Sequence, residues 1–303
     1  MQADPHPVAE APWLPVTVTS PAAPRLPLIV SFPHSGETYP ADFGYRAELT
    51  RDQIDYPNDK YVDELFGAAS ALGLATVKAN FPRTYVDVNR HQHDISAAML
   101  EDPDSWYGRL QPTAEASGST LFWAQANDVP IYDRKLSQTE AKRRIARYFV
   151  PYHQALTRLI EQTRLTFGAV YLLDCHSMMR RDSAARGGAE RPQVDIGTRH
   201  GQSCAPEIAE ALAQSFRAQG YDVGANRRFA GGEITLRYGW PELNQHAVQV
   251  ELRRDLYMNE TTRERSDRFA KMQMHCTEAL KSLMDAVARR EGIDLGARTL
   301  PST

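Results

Sequence analysis

Residues 28–37 read LIVSFPHSGE, an apolar run of strand length that passes straight into a proline, a histidine and a glycine. Residues 169–177, AVYLLDCHS, repeat the arrangement, with Asp174, Cys175 and His176 following the clearest buried strand of the chain. Two strands that each lead into a histidine decide how the rest is read. In open α/β sheets, ligands sit in the crevice beyond the carboxyl ends of strands.

Outward from these two strands, extended and helical patterns alternate. The spacing predicts a helix over 59–72 with Asp59 as its N-cap, a strand over 74–78 and a short extended piece over 85–88. A long amphipathic helix is expected over 139–166, kinked at Pro151. Pro at its start and Gly220 past its end mark a helix over 206–219. A strand over 247–252 carries Glu251, and a closing helix is expected over 261–290. This alternation predicts an α/β sandwich with a mixed, largely parallel sheet. Residues 1–27, rich in Pro and Ala, read as an irregular lead-in to a single domain over 28–295. Within it, 94–132 reads as a long insertion loop without periodicity.

Composition narrows the class. Of the 303 residues 42% are hydrophobic and 24% charged, which is ordinary for a globular chain. A formal net charge of −3 gives no reason to expect nucleic acid or an anionic membrane as partner. No window reaches the ~18–20 apolar residues of a membrane span, and MQADPHPVAEAPWLPV lacks the pattern of a secretory signal. Three cysteines without a CxxC spacing argue against a disulfide framework or thiolate metal site and suit a reducing cytoplasm. Cys175 sits between Asp174 and His176, yet side chains alternate along a strand, so its thiol should face away from both.

A catalytic zinc takes about three protein ligands and leaves a position for water. His34 and His176 supply two. Glu37 could be the third, through the His34-x-x-Glu37 spacing, or Asp59 could, or Asp174, which shares a strand face with His176 and could equally orient its ring. The stretch 81–90, FPRTYVDVNR, holds Arg83, Asn89 and Arg90, a set suited to gripping a substrate carboxylate. The plainer alternative is that the arginines pair with Asp87. Glu251 lies in a strand otherwise built of Val and Leu, where an ionised carboxylate is unfavourable unless it is paired or faces a site. It would be a general base beside an activated water, or else the partner of Arg253 or Arg254.

The segments PHSG, YVDVNR, DCHS, DIGTRHG, FAGGEITLRYG and HAVQVEL occur in the order seen in N-formylglutamate amidohydrolases, and the chain resembles that family over about residues 25–290. The resemblance implies a three-layer, phosphorylase/hydrolase-like sandwich as in zinc carboxypeptidases and aspartoacylases. It implies a Zn2+ cofactor, with Co2+ or Mn2+ as substitutes, and hydrolysis of N-formyl-L-glutamate to formate and L-glutamate, a step of histidine degradation. His34, Asp59 and His176 would hold the metal. Asp59 is favoured over Glu37 because the family keeps an aspartate at its position. Arg83, Asn89 and Arg90 would bind substrate and Glu251 would be the base. His246 and Arg237 are expected to line the pocket. Glu233 stands where some relatives carry another polar residue, which leaves acyl amino acid preference open. Two alternatives are a hydrolase of another N-acyl amino acid or C-terminal peptide residue, and a non-catalytic binding protein of the same fold. Partners are restricted to small molecules with free carboxylates, and the expected location is the cytoplasm.

Overall fold

A computed structural model describes residues 13–112, 118–182 and 187–296. Its centre is a seven-stranded sheet in the order β1-β3-β2-β6-β9-β7-β8. These strands are β1 Val16–Thr19, β2 Leu28–Phe32, β3 Ala75–Ala79, β6 Val170–Met178, β7 Val194–Gly197, β8 Val223–Ala225 and β9 Gln245–Arg253. A separate ribbon pairs β4 Gln125–Ala126 with β5 Val129–Pro130. The four central strands β3, β2, β6 and β9 run parallel, while β1 and β7 pair antiparallel to their neighbours β3 and β9. From β2 the chain moves to β3 on one side. From β6 it continues on the other side, so β2 and β6 flank the switch point where ligands bind in such sheets.

Alternation along the strands sorts side chains into two cores. Leu28, Val30, Phe32, Tyr171, Leu173, Cys175, Val248, Val250 and Leu252 share one face. There they pack on α2 Val62–Leu65, α3 Ala68–Ala71, α6 Pro206–Ala218 and α8 Phe269–Glu291. Ile29, Val77, Ala79, Val170, Leu172 and Ala247 share the other, under α4 Gln138–Arg144, α5 Val150–Phe167 and the segment between β3 and α4. The result is the expected three-layer sandwich. Cys175 falls on the first face and Asp174, His176, Gln249 and Glu251 on the second, as a period of two requires.

Local departures from the sequence reading have physical causes. The lead-in is not wholly irregular, because Val16–Thr19 adds an edge strand to β3; its outward residues stay exposed, so no apolar run marks it. The helix expected over 59–72 is two single turns. Tyr61 sits in the left-handed region at φ 69°, which stops Asp59 from capping a continuous helix and frees its side chain. Residues 85–88 form no strand. Within 94–132 the described residues, 94–112 and 118–132, are short of regular structure but packed, with Ile95, Leu100, Leu121, Phe122 and Ile131 all buried. Where a kink is expected at Pro151, a π-helical turn, Ile145–Phe149, separates α4 from α5 and leaves Pro151 in the first turn of α5, where a missing amide donor is tolerated. α1 Arg51–Asp55 is closed by a capping box from Thr50 and Gln53. The closing helix begins at Phe269 rather than 261. β7, β8 and α7 Glu233–Tyr238 are too short to leave a periodic trace.

Candidate metal centre

The sheet brings three donors to one point. β2 ends two residues before His34, and His176 lies within β6, which does not stop at Leu173 but pairs with β9 through Met178. Asp59 arrives from the loop before α2, its amide bonded to the His34 carbonyl at 3.0 Å. His34 Nδ1 lies 3.1 Å from His176 Nδ1, and Asp59 Oδ2 lies 3.2 Å from the first and 3.1 Å from the second. All three residues are buried.

The remaining contacts say which atoms point inward. Asp87 Oδ1 lies 2.8 Å from His34 Nε2, and Asp174 Oδ2 lies 2.8 Å from His176 Nε2. Each imidazole must therefore carry a proton on Nε2 to donate to its carboxylate, which leaves a lone pair on each Nδ1. The lone pairs and the Asp59 oxygen then face one another in a buried space, an arrangement that only a cation or an added proton relieves. Ring nitrogens oriented by carboxylates are also the usual setting of metal-ligating histidines. Tetrahedral bonds of ~2.05 Å would space such donors about 3.3 Å apart, close to the observed triangle. His34, Asp59 and His176 form a group that could hold a metal ion.

Charge follows the same logic. Where an added proton rather than a cation fills the space, burial acts to raise Asp59, yet the hydrogen bonds of His176 and His34 hold it well below the usual carboxylate range. His176 is lifted well above the usual imidazole range: burial opposes the rise, and Asp174 and Asp59 outweigh it. The other oxygen of Asp59 is fixed from behind. Ser177 Oγ donates to Oδ1 at 2.9 Å and Arg254 Nη2 at 3.2 Å, which leaves Oδ2 to the histidines.

Glu251 is the register partner of His176 on the adjacent strand. Gln249 Nε2 donates to its Oε1 at 2.8 Å, and its buried Oε2 meets no hydrogen-bond partner among the described residues. The alternative pairing with Arg253 or Arg254 is not made. Arg253 binds Asp255 and Glu190, and Arg254 binds Asp59, Ser177 and two backbone carbonyls. Burial, opposed by His176 and assisted by Asp59, raises the Glu251 carboxyl to about 8. A carboxyl with this affinity for a proton is suited to proton transfer near neutral pH.

The other expected residues distribute unevenly. Glu37 is exposed and outside the donor triangle. Gly36 is required because a Cβ there would lie 2.3 Å from the backbone of Asn80. Arg83 Nη2 and Nε grip Asp87 Oδ2 at 2.9 and 3.2 Å, its guanidinium stacks on Trp123, and Nη1 lies 4.0 Å from Asp59 Oδ2. Asn89 Oδ1 accepts the Ile234 amide at 2.9 Å, while its Nδ2 lies 3.3 Å from His176 Nε2, whose proton is directed at Asp174. Arg90 donates to the carbonyls of Ser119 and Asn89, tying down the 94–132 segment. His246, expected near the pocket, instead stacks on Tyr171 at the opposite end of β9, five residues from Glu251 and so roughly 17 Å away. Arg237 pairs with Glu233 on α7. The pairing of Arg83 with Asp87 is the plainer alternative of the sequence reading, whereas the places of Asp87, Ser177, Gln249 and Arg254 around the centre leave no sequence signal. Asp87 lies inside the quoted FPRTYVDVNR, but only the fold shows that it faces His34.

An α/β sheet with two imidazoles and a carboxylate converging at its switch point, beside a buried unpaired glutamate, has the make-up of a metallohydrolase centre. Residues 26–258 match the N-formylglutamate amidohydrolase family, and the chain belongs to that family. It is 33% identical over 241 and 242 residues to proteins from Pseudomonas putida and Pseudomonas aeruginosa, both named N-formylglutamate deformylase, with 78% of this chain and 84% of each relative covered. The crystal structure of N-formylglutamate amidohydrolase from Ralstonia eutropha is similar throughout, at 36% identity and a TM-score of 0.85, covering 93% of this chain and 100% of that one. A gene product from Agrobacterium tumefaciens shares the fold at 19% identity and a TM-score of 0.63, over 90% of this chain and 96% of that one.

Proposed function

We propose that this protein hydrolyses N-formyl-L-glutamate to formate and L-glutamate with a divalent metal, zinc, held by His34 Nδ1, His176 Nδ1 and Asp59 Oδ2. The observation that carries the reading is the convergence of those three atoms beside a buried Glu251 oxygen without a partner, in a chain of this family. Two nitrogens and one carboxylate suit zinc, and Co2+ or Mn2+ accept the same donors. When bound, the metal supplies Lewis acidity, lowering the pKa of a water from 15.7 toward ~7 and polarising the formyl oxygen.

Glu251 takes the proton of the attacking water as its oxygen adds to the formyl carbon. It then delivers that proton to the amide nitrogen as the C–N bond breaks, so formate leaves and the amine of glutamate is released. Asp87 and Asp174 keep the two rings in the tautomer that presents Nδ1. Arg83, anchored on Asp87 and Trp123, offers its outer Nη1 to developing negative charge or to the substrate α-carboxylate. Asn89 and Arg90 order the loop that carries it. An assay of metal-loaded protein against N-formyl-L-glutamate, N-acetyl-L-aspartate and a hippurate-type peptide tests the reading. N-formyl-L-glutamate should be preferred by orders of magnitude in kcat/KM. Equal or better use of either other compound would transfer the site to another acyl class, and absence of turnover in zinc-loaded protein would leave only the binding-protein alternative.

A further inference from the structure

A second group of cations lies at the rim of the centre and takes no part in the chemistry above. Beyond β6, residues 180–182 lie antiparallel to 189–191, with Arg191 N donating to Arg180 O at 3.0 Å and Asp182 N to Ala189 O at 2.9 Å. Arg191 Nη1 also holds the carbonyl of Met179, three residues past His176, at 3.2 Å. The loop over 226–232 comes from the other direction. Asp195, the β7 register partner of Glu251, accepts the amides of Arg227, Arg228 and Phe229 at 3.2, 2.6 and 3.0 Å. Farther along, Gly232 N donates to Gln249 Oε1 at 3.0 Å, the same Gln249 that holds Glu251. The loop is thus fastened along the rim next to Glu251.

Arg191 and Arg228 meet between these two segments. Their guanidinium carbons lie 5.4 and 4.9 Å from the Phe229 ring centroid. Both donate to one oxygen, Asp182 Oδ1: Arg191 through Nη2 at 2.9 Å and Nε at 3.1 Å, Arg228 through Nε at 2.6 Å. One carboxylate serves two guanidinium groups, so a surplus positive charge remains. Nearby acids do not cancel it, because Glu190 is shared by Arg180, Arg181 and Arg253 and Asp222 pairs with Arg227. The two Nη groups of Arg228 have no hydrogen-bond partner among the described residues, and its side chain is 24% exposed. A cavity of about 410 Å³ elsewhere, between α5 and α7, is also flanked by arginines, but one of them, Arg237, is already paired. The cavity beside Arg191 and Arg228, of about 270 Å³, has the unpaired fork in its wall. Burial and the Arg228 charge push Arg191 below its ordinary value, while Asp182 opposes the fall.

We propose that Arg228, braced by Arg191 and Phe229, is a carboxylate subsite that selects N-acyl amino acids with an acidic side chain. The proposal rests on the hydrolase reading, in which Arg83 serves the α-carboxylate. A dicarboxylate then needs a second cation at a distance, and its formyl carbon and distal carboxyl carbon are about 6 Å apart when extended. Arg83 is tied to Asp87 at His34, just past β2, and Arg228 by its amide to Asp195 of β7, on either side of the strands that carry His176 and Glu251. The Phe229 ring offers the substrate methylenes an apolar wall, and the open Nη edge of Arg228 matches a carboxylate in bidentate fashion.

The test compares N-formyl-L-glutamate with N-formyl-L-norvaline, which has the same reach without the distal carboxylate. Arg228→Met should reduce the ratio of their kcat/KM values by about 10–100-fold, through KM for the acidic substrate, and Arg228→Lys should restore part of the ratio. A ratio that stays at the wild-type value overturns the subsite, whether both substrates suffer equally or neither does. Calorimetric titration of the same metal-loaded proteins with glutarate and butyrate separates this outcome from failure of the hydrolase reading. If the wild-type protein turns over no N-formyl-L-glutamate, that reading falls. The subsite then stands on a glutarate preference that Arg228→Met abolishes, and falls if glutarate and butyrate bind alike.

Discussion

Arg254 Nη2 lies 3.2 Å from Asp59 Oδ1, so a buried guanidinium from the end of β9 holds the back of the carboxylate whose front faces His34 and His176. The same side chain donates through Nη1 to the carbonyl of Tyr56 at 2.6 Å and through Nη2 to that of Pro57 at 3.0 Å. It therefore fixes the loop that delivers Asp59 as well as the orientation of its oxygens. A carboxylate held this way can give a metal only one oxygen.

Arg254→Met removes those donors and leaves Asp59 Oδ1 held by Ser177 alone. Partners of this kind typically contribute 10–100-fold to metal affinity. Zinc competition with a chromophoric chelator should show a weakening in that range. Unchanged affinity would mean that the loop holds Asp59 without Arg254.

The donor set itself is checked by metal content. His176→Ala and Asp59→Ala should purify with strongly substoichiometric zinc and lose the rise in melting temperature that added zinc gives the wild type. Glu37→Gln should retain both, because Glu37 is exposed and outside the triangle. Full zinc in His176→Ala, or its loss in Glu37→Gln, would contradict the assignment.

Glu251→Gln keeps the shape of the side chain and its bond from Gln249 but cannot accept a proton. Turnover should fall by about 10²–10⁴-fold with zinc content unchanged. Retention of near wild-type kcat would remove Glu251 from the proton transfer.

Three of the candidate site residues are legible in the sequence because each stands out against its neighbours. His34 and His176 follow apolar runs, and Glu251 interrupts one. Asp59 was a different case. Residues alone could not separate it from Glu37, since the difference lies in Tyr61, whose left-handed backbone breaks the helix and turns Asp59 inward. Residues that hold the donors were the least visible. Asp87, Ser177 and Arg254 are common polar side chains in unremarkable local patterns, and only the sheet order places them behind His34 and Asp59. Sequence shows the polar groups of Arg90 and Asn89 without showing which main-chain groups already meet them, the carbonyls of Ser119 and Asn89 for the first and the Ile234 amide for the second. The fold was readable where strands are long and apolar, as in β2 and β6. It was hidden where short elements depend on tertiary pairing: β7 is four residues around Asp195, β8 three, and α7 six.

A last expectation concerns acid. His153 is a buried residue of α5, with Nδ1 2.9 Å from Tyr238 Oη and Nε2 3.0 Å from the Val88 carbonyl. Burial, reinforced by the Arg237 charge and only partly offset by the Val88 bond, lowers its pKa from 6.5 to about 3. Between those values the unfolded chain binds a proton that the folded chain refuses, so stability rises with pH across this window. The contribution is fully present above pH ~6.5 and is lost as pH falls toward ~3, at up to roughly 1.4 kcal/mol per unit. His153→Phe removes the titration. It also removes two hydrogen bonds, so the variant should be less stable at pH 7, with the gap to wild type narrowing as pH drops. Urea unfolding of both proteins at pH 7, 6 and 5 measures that gap. A constant gap would show that His153 gains its proton in the folded protein as readily as in the unfolded chain.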